Sequence, residues 1–297
     1  MHIDPRRSIA FTTAVDTGSL ELAASRLGLT PSAVSQRIST LEQELGTPLL
    51  VRSRPCRPTI PGMRLLQYLR RSELLEAEFL AEMGVEQGPA RVALAVNNDT
   101  LATWLLPALG PILAAEDLLA DFVLDNQGHT FALLEEGRVV ACISGKAQPM
   151  HGCTATPLGL MRYRMVAASD FARRRFPDGL TRDAATQAPV VVFDRKDSLQ
   201  SAFLLEHLGL PEGSYPCHYV PASDPYVHAI RLGFGYGMLP LEQCAHMLED
   251  GSMVDLAPRL PVDVALYWHA WRIQPQRVER MGAALVKAAR DVLLPLS

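Results

Sequence analysis

Apolar residues recur with a helical period over the first sixty positions of the chain. Ile9, Phe11 and Val15 give the first segment an apolar stripe, which predicts an amphipathic helix. A second helix is predicted to begin after Ser19, whose hydroxyl can cap it, and to end at Gly28. Its inner side would carry Leu20, Ala23, Ala24 and Leu27. The opening of the chain therefore predicts a small helical domain.

The third segment is predicted to be a helix with one buried face and one polar face. Thr30 offers a capping hydroxyl, and Pro31 suits the first helical position, where its missing N–H is not needed. The apolar face consists of Val34, Ile38, Leu41 and Leu45. The opposite face carries the hydrogen-bonding residues Ser32, Ser35, Gln36 and Arg37. A helix that reads DNA needs such groups near its N-terminus, and a merely solvated face is the ordinary alternative.

The segment after this helix is typical of a wing. Residues 48–59 start as a strand and continue into a loop rich in proline and arginine. Arg52, Arg54 and Arg57 are therefore predicted to lie along a phosphate backbone or to enter a minor groove. Because this wing follows the polar face of the third helix, we expect DNA reading. Residues 1–60 are predicted to form an all-α winged helix-turn-helix DNA-binding domain.

A long helix is predicted to follow, because residues 62–83 contain no proline and no interior glycine. Its apolar positions recur at helical spacing and are Leu65, Leu66, Leu69, Leu74, Leu75, Phe79, Leu80 and Met83. Such a helix would be about 33 Å long. A stripe of this kind on a helix that leaves a small domain favours a dimer seam. Residues 61–88 are therefore predicted to be a linker and dimerisation helix that ends in a hinge.

Beyond residue 88 short apolar runs alternate with helical patterns, which predicts an α/β domain over residues 89–297. Strands are predicted at 91–96, 122–124, 139–143, 164–168, 190–193 and 237–240. Helices are predicted near 101–113, 170–176, 199–208, 224–232, 241–249 and 275–293. The glycine-rich stretch 233–237 lacks the spacing of a nucleotide loop and is predicted to be a turn.

Charge is distributed unevenly along the chain. The net charge is -4. Residues 1–72, however, hold ten arginines and five acids, and residues 73–88 hold five glutamates and no base. The basic charge therefore lies where DNA would be contacted. The first residues carry Asp4, Arg6 and Arg7 without a following apolar run, so we expect no signal peptide, no membrane contact and a cytoplasmic location.

The five cysteines are odd in number, far apart and without a C-x-x-C pair, which argues against a disulfide framework or a metal site. We expect buried thiols, with a redox-sensing pair as the alternative. No G-x-S-x-G, H-E-x-x-H or P-loop motif is present, so we expect no enzyme activity and no cofactor. An enzyme or a solute-binding protein with an appended head is a further alternative, which turnover or an export signal would reveal.

The N-terminal motifs resemble those of the LysR-type transcriptional regulators. The matching residues are Gly18-Ser19, Ala23-Ala24, Leu27, 30–38, Leu41-Glu42 and Leu45-Gly46. The later part is similar to the LysG and ArgP branch of that family, which responds to lysine and arginine and controls amino-acid export. The segments that carry this likeness are 96–109, 188–194, 216–218 and 266–269.

The resemblance implies a two-lobed, periplasmic-binding-protein-like effector domain. Lobe I would comprise 89–160 and 266–297, and lobe II 161–265. It also implies an effector that is L-lysine or L-arginine, and a homodimer or tetramer bound to an operator of imperfect two-fold symmetry. RNA polymerase is a candidate partner. A regulator of the same family that senses another metabolite, or an oxidant through its cysteines, is the alternative.

Ligands of α/β folds bind at the carboxyl ends of strands, so we expect the loops after residues 96, 124 and 193 to face one cleft. The candidate effector residues are Asn97, Asn98, Asp99, Thr100, Asp125, His129, Asp194, Ser223 and Asp224. A helix N-terminus there would suit an α-carboxylate, and the aspartates would suit cations. Helix capping is the ordinary role for such residues, and packing or solvation is the ordinary role for His129, His218 and His269.

Overall fold

The computed structural model describes residues 3–85, 88–126 and 128–296. The N-terminal domain contains the three predicted helices, α1 (Pro5–Thr17), α2 (Leu20–Leu27) and α3 (Pro31–Leu45). Ser19 caps α2 by accepting a hydrogen bond from the Leu22 N–H at 3.3 Å. Thr30 caps α3 by accepting one from the Ala33 N–H at 3.2 Å. Gly28 and Gly46 end these helices in the left-handed conformation, and both caps are as predicted.

One apolar core holds this domain together. Its fully buried members include Phe11, Val34, Ile38 and Leu41. The wing is a two-stranded antiparallel ribbon of β1 (Leu50–Val51) and β2 (Arg57–Pro58). These elements confirm the predicted winged helix-turn-helix.

The linker helix α4 (Ile60–Glu82) begins two residues before the predicted start. Pro61 is at its first turn, where proline is favourable. Leu65, Leu66 and Leu69 pack into the N-terminal core. The helix exposes Tyr68, Leu75 and Phe79, and Met83 directly after its end is exposed as well. Two residues of the predicted hinge, 86 and 87, lie outside the described residues.

The remainder of the chain is an α/β domain. Its strands are β3 (Ala90–Val96), β4 (Leu118–Leu124), β5 (Ala141–Ser144), β6 (Cys153–Ala168), β7 (Val190–Val192), β8 (Cys217–Tyr219), β9 (Tyr236–Pro240), β10 (Met253–Asp255) and β11 (Val262–Trp271). Its helices are α5 (Asn98–Thr100), a π-helical turn (Leu101–Leu105), α6 (Leu106–Ala115), α7 (Thr130–Glu135), α8 (Ser169–Arg175), α9 (Arg182–Gln187), α10 (Leu199–Leu208), α11 (Ser223–Arg231), α12 (Leu241–Glu249) and α13 (Gln276–Val292).

The strands form one curved mixed sheet in the order β4-β3-β5-β11-β6-β9-β7-β8, with β10 paired to β6. In the first half β3 runs parallel to β4 and β5, and in the second half β7 runs parallel to β8 and β9. The long strands β6 and β11 pair antiparallel and join the two halves. The two halves are the lobes of the expected architecture. The proposed lobe boundaries fall inside β6 and β11.

Several elements differ from the expectation. The strand predicted at 164–168 in fact begins at Cys153. The prediction was too short because Pro157 and Gly159 interrupt the apolar pattern, although the strand stays paired with β11 on both sides of them. The strands β8, β10 and β11 and the helices α7 and α9 were not predicted. The helix predicted near 101–113 contains the π-helical turn, whose hydrogen-bond register leaves no trace in residue spacing.

The linker helix docks on the first lobe of the same chain. The Gln67 Nε2 donates to the Glu135 carbonyl at 2.7 Å. The Arg71 guanidinium lies 4.4 Å from the centroid of the Trp271 ring. Further along, the Gln276 N–H donates to the Glu78 carboxylate at 2.7 Å. The position of the linker helix is thus tied to the domain that carries the cleft. Among the described residues, no helix combines the length and apolarity needed to cross a bilayer.

Candidate DNA-contacting surface and effector cleft

The N-terminal half of α3 presents the polar residues expected to contact DNA. Ser32 and Gln36 are exposed, and Ser35 and Arg37 are half-buried. The buried residues of α3 face the domain core. The Ser32 hydroxyl lies 3.0 Å from the Thr30 hydroxyl. The helix therefore has the polar outer face and apolar inner face that a recognition helix requires.

The three wing arginines have different surroundings. The Arg52 guanidinium donates to the hydroxyls of Ser35 at 2.9 Å and Ser39 at 2.7 Å. It also lies 3.7 Å from the Glu42 carboxylate. Glu42 in turn accepts hydrogen bonds from the backbone N–H groups of Leu49 and Leu50 at the start of the wing. Arg52 therefore fastens the wing to α3.

Arg54 and Arg57 are freer to reach a phosphate backbone. The side chain of Arg54 is 92% exposed, and its guanidinium lies 3.4 Å from the Glu21 carboxylate. An ion pair this exposed is weak, so Arg54 can leave it for a phosphate. Arg57 is exposed on β2. These two side chains are placed to supply contacts that do not depend on sequence.

A cleft lies between the two lobes, at the carboxyl ends of β3, β4 and β7. The empty space in it, counted together with the part that is open to solvent, is about 570 Å³. The lining residues are Asn97, Asn98, Asp99, Asp125, Asn126, Tyr163, Phe193, Asp194, Asp197, Leu199, Gln200, Tyr226 and Met238. The structure thus brings the three predicted loops together, and five candidate residues line the cleft, namely Asn97, Asn98, Asp99, Asp125 and Asp194.

Four other candidates do not line it. Thr100 is fully buried behind the first helical turn, and His129 is exposed beyond the cleft. The Ser223 hydroxyl accepts a hydrogen bond from the Gln243 amide at 2.9 Å. Asp224 borders a different groove, which it shares with α12. The N-terminus of α11 packs toward α12, so these two residues lie away from the cleft.

The inner end of the cleft contains a half-buried carboxylate, that of Asp99, with other acids nearby. The Tyr163 hydroxyl donates to Asp99 Oδ2 at 2.7 Å. Burial raises the pKa of Asp99 to about 6, and the charges of Asp197 and Glu242 act in the same direction. The Tyr163 hydrogen bond opposes this rise. A cation bound here would favour the charged form of Asp99.

Asp197 is the second acid at this end. Its carboxylate accepts hydrogen bonds from the Leu199 N–H at 3.0 Å and the Gln200 amide at 3.2 Å. Burial raises the pKa of Asp197 despite these hydrogen bonds. The Gln200 amide nitrogen also donates to the Tyr226 hydroxyl at 2.7 Å, and the side-chain oxygen Oε1 of Gln200 is buried with no hydrogen-bond partner among the described residues. A ligand with N–H groups could satisfy that oxygen.

The outer end of the cleft is formed by one loop from each lobe. Asp194 Oδ1 accepts hydrogen bonds from the backbone N–H groups of Lys196 at 2.7 Å and Asp197 at 2.9 Å. Asp125 Oδ1 accepts one from the Asn126 N–H at 2.8 Å and lies 3.5 Å from the Lys196 ammonium. A lysine side chain of the second lobe therefore contacts an aspartate of the first.

Sequence reasoning missed the lining residues Asn126, Tyr163, Phe193, Asp197, Leu199, Gln200, Tyr226 and Met238. The sequence offered a clue to two of them: Asp197 shares a loop with the candidate Asp194, and Tyr226 is two residues beyond the candidate Asp224. The sequence offered no clue to Tyr163, since it lies on a part of β6 that was not predicted to be a strand.

The cysteines and His269 lie in surroundings that favour packing over chemical reactivity. Four cysteines are buried and Cys217 is half-buried. Burial raises the pKa of Cys153 and of Cys244 to about 12, which disfavours the reactive thiolate. His269 is buried, and its Nε2 lies 2.8 Å from the Lys146 carbonyl. No group suited to hold a metal occurs within residues 3–85, 88–126 and 128–296.

A winged helix-turn-helix, a long connecting helix and a two-lobed domain with a polar cleft between the lobes define a DNA-binding transcription regulator with an effector domain. Family models agree with this class. The bacterial regulatory helix-turn-helix protein, lysR family, matches residues 6–63, and the LysR substrate binding domain matches residues 86–290. The chain belongs to the LysR family of transcription regulators and is not an enzyme.

Full-length relatives support the same assignment. The HTH-type transcriptional regulator ArgP of Klebsiella pneumoniae (strain 342) is 40% identical over 290 residues, which is 98% of each chain. The Mycobacterium tuberculosis ArgP crystal structure is similar with a TM-score of 0.84 at 37% identity, covering 99% of this chain and all of that one. Full-length LysG from Corynebacterium glutamicum with bound effector Arg is similar with a TM-score of 0.78 at 32% identity, covering 98% of this chain and all of LysG.

Proposed function

We propose that the cleft binds a basic amino acid, L-arginine or L-lysine, and that this binding controls transcription of an amino-acid exporter gene. The observation that carries the proposal is the excess of carboxylates. Asp99, Asp125, Asp194 and Asp197 line the cleft, and the ammonium of Lys196 lies beside one of them. Such a surface favours a ligand with more positive than negative charge. The arginine bound to LysG is a ligand of this kind.

The two ends of the effector would meet different partners. The α-carboxylate would lie at the first turn of α5, where backbone N–H groups and the helix dipole favour an anion. Asn97 and Asn98 belong to this turn. The cationic groups would pair with the aspartates. The planar N–H groups of a guanidinium could also donate to the buried side-chain oxygen Oε1 of Gln200.

The DNA contacts follow from the polar face of α3 and from the wing. Gln36 and Arg37 would contact base edges, and Ser32 and Ser35 would divide between bases and phosphates. Arg54 and Arg57 would contact the backbone, with Arg52 holding the wing in place. A homodimer or a tetramer would bind an operator with imperfect two-fold symmetry. The protein would act in the cytoplasm, with RNA polymerase as a candidate partner.

Isothermal titration calorimetry with neutral isosteres tests the effector. Citrulline has nearly the shape of arginine without its side-chain charge, and norleucine has nearly the shape of lysine. We expect arginine or lysine to bind at least about tenfold more tightly than its neutral counterpart, because loss of one charge-assisted contact costs about 1.5–3 kcal/mol. Equal affinity for the charged and neutral members of a pair would contradict the basic amino acid and leave the family assignment intact.

A further inference from the structure

Lys196 lies where a cationic ligand would be expected to bind. Its ammonium is 3.5 Å from Asp125 Oδ1, and the two side chains are 61% and 26% exposed. Asp125 follows β4 in the first lobe, and Lys196 follows β7 in the second. The contact therefore joins the two lobes across the mouth of the cleft.

The backbone of Lys196 is held in position. Asp194 Oδ1 accepts hydrogen bonds from the N–H groups of both Lys196 and Asp197, which closes a tight turn around the lysine. The side chain therefore starts from a fixed point beside the cleft. Its remaining freedom is that of its four methylene groups, enough for the ammonium to leave Asp125 without any change in the turn.

The Asp125 carboxylate cannot pair equally well with two cations at once. Its Oδ1 already accepts a hydrogen bond from the Asn126 N–H. A second ammonium or guanidinium beside the same carboxylate would also repel the ammonium of Lys196. A ligand cation that reaches Asp125 must therefore compete with Lys196.

We propose that Lys196 is an internal competitor of the effector, holding the Asp125 carboxylate in the unliganded protein and leaving it when the cationic side chain of the ligand arrives. The inference rests on the proposed function, because it requires a basic ligand in this cleft. Its consequence is that Lys196 sets the effector concentration at which the regulator responds. The side chain weakens binding although it lies at the site.

Calorimetric titration of arginine into the full-length K196M variant tests whether Lys196 competes with the effector. Methionine keeps most of the length of the side chain and removes its charge, and K287M is the matched control because Lys287 is exposed on α13. We expect K196M to bind arginine about two- to fivefold more tightly than wild type, as loss of a partly exposed ion pair allows. We expect K287M to match wild type. Unchanged or weaker binding by K196M would overturn the inference, and weaker binding would make Lys196 a ligand contact.

A double-mutant cycle identifies the partner. In a D125N background, K196M should no longer change arginine affinity. A gain that persists there would show that Lys196 acts elsewhere, and would overturn the pairing with Asp125. Failure of wild type to bind either arginine or lysine is a separate outcome, because it overturns the proposed function itself.

The ammonium can also be observed directly. The chain contains only three lysines, Lys146, Lys196 and Lys287. Reductive methylation with ¹³C keeps their charge and labels these three lysines and the N-terminal amine, and the lysine resonances are assigned with single lysine variants. Addition of unlabelled arginine should shift the Lys196 resonance and leave that of Lys287 in place. An unmoved Lys196 resonance at saturating arginine would contradict displacement.

Discussion

Two arginines of the winged helix-turn-helix domain should contribute to DNA binding in different ways. Arg37 belongs to the polar face of α3, whereas Arg54 is an almost fully exposed wing residue. On an operator selected from a random DNA pool, R37A should lose about 1–3 kcal/mol and relax sequence preference at one position. R54A should weaken all sequences alike and lower the salt dependence by about one phosphate contact.

Fluorescence anisotropy over a range of salt concentrations and operator variants measures both effects. R290A is the control, since Arg290 is exposed on α13. If R37A lost affinity equally for every sequence, its assignment to base edges would be wrong.

The acidity of Asp99 predicts how effector binding depends on pH. Its pKa of about 6 lies within the range in which the protein can be studied. The ionised form attracts a cation, so arginine affinity should fall as the pH drops through 6, by about tenfold between pH 7.5 and pH 5. Asp197 and Glu242, whose pKa values are also raised by burial, act in the same direction. Arginine binding near pH 6 should therefore release protons.

The variant Y163F tests this assignment. The Tyr163 hydroxyl lowers the pKa of Asp99, so its removal should move the midpoint of the pH profile upward. Y219F is the control, because Tyr219 is exposed on β8 and does not line the cleft. Calorimetry across pH measures the profile, and a midpoint that stays in place in Y163F would count against Asp99 as the titrating group.

Single residues also show where sequence reasoning about the site succeeds and fails. Asp99, Asp125 and Asp194 follow recognisable strands, and the rule that parallel strands end together places them at one cleft. Tyr163 reaches the same cleft from β6, which runs antiparallel to its neighbours. No rule of local spacing places a residue from such a strand, because its position depends on long-range pairing.

At the scale of elements, α4 and the first lobe meet at a glycine. Gly137 has a φ of +70°, and a Cβ there would lie 2.8 Å from Gln67 Cγ and 2.9 Å from the Gln67 backbone nitrogen. Gly84 has a similar φ of +72°, and none of the described atoms lies within 4 Å of a Cβ built there. G84A should therefore cost only the left-handed backbone strain, about 1 kcal/mol.

G137A should cost more than G84A, because it adds a clash with the linker helix. We expect a loss of about 2 kcal/mol or more in the free energy of unfolding, together with faster amide exchange in α4. Thermal unfolding and hydrogen exchange measure the two effects. Equal destabilisation by both variants would mean that α4 can move away from Gly137 without cost.

The elements most readily predicted are those with local patterns. The caps at Ser19 and Thr30 and the apolar face of α3 define the winged helix-turn-helix domain. Helix α12 likewise lies where its periodicity predicts it. The long strand β11 was not predicted because its burial does not alternate: its last four residues, 268–271, are all buried. Its partner β6 contains Gly159, whose φ of +151° and close contact with Leu293 reflect tertiary packing.

At the scale of the whole molecule, the exposed stripe of α4 should be a dimer interface. Phe79 is 57% exposed although it is a large apolar residue. Since exposed apolar patches mark interaction surfaces, F79E should shift the protein toward monomers in sedimentation experiments at micromolar concentration. Operator affinity should fall as well, because separate heads lose the benefit of binding two half-sites together.

Leu205 provides the matched control, since it is 56% exposed on α10 and lies far from the linker helix in sequence. L205E should leave the mass in solution unchanged. A dimer that persists in F79E would place the interface elsewhere on the chain.

The contacts of Arg52 have a consequence for the promoters that this protein could control. Wing and recognition helix are fastened together through Ser35, Ser39 and Glu42, so each head should move as a rigid body. An effector that rearranges the dimer can then change the distance between heads, and each head would keep its base preferences. The half-site motif selected from random DNA should be the same with and without effector, and only the preferred spacer length should differ.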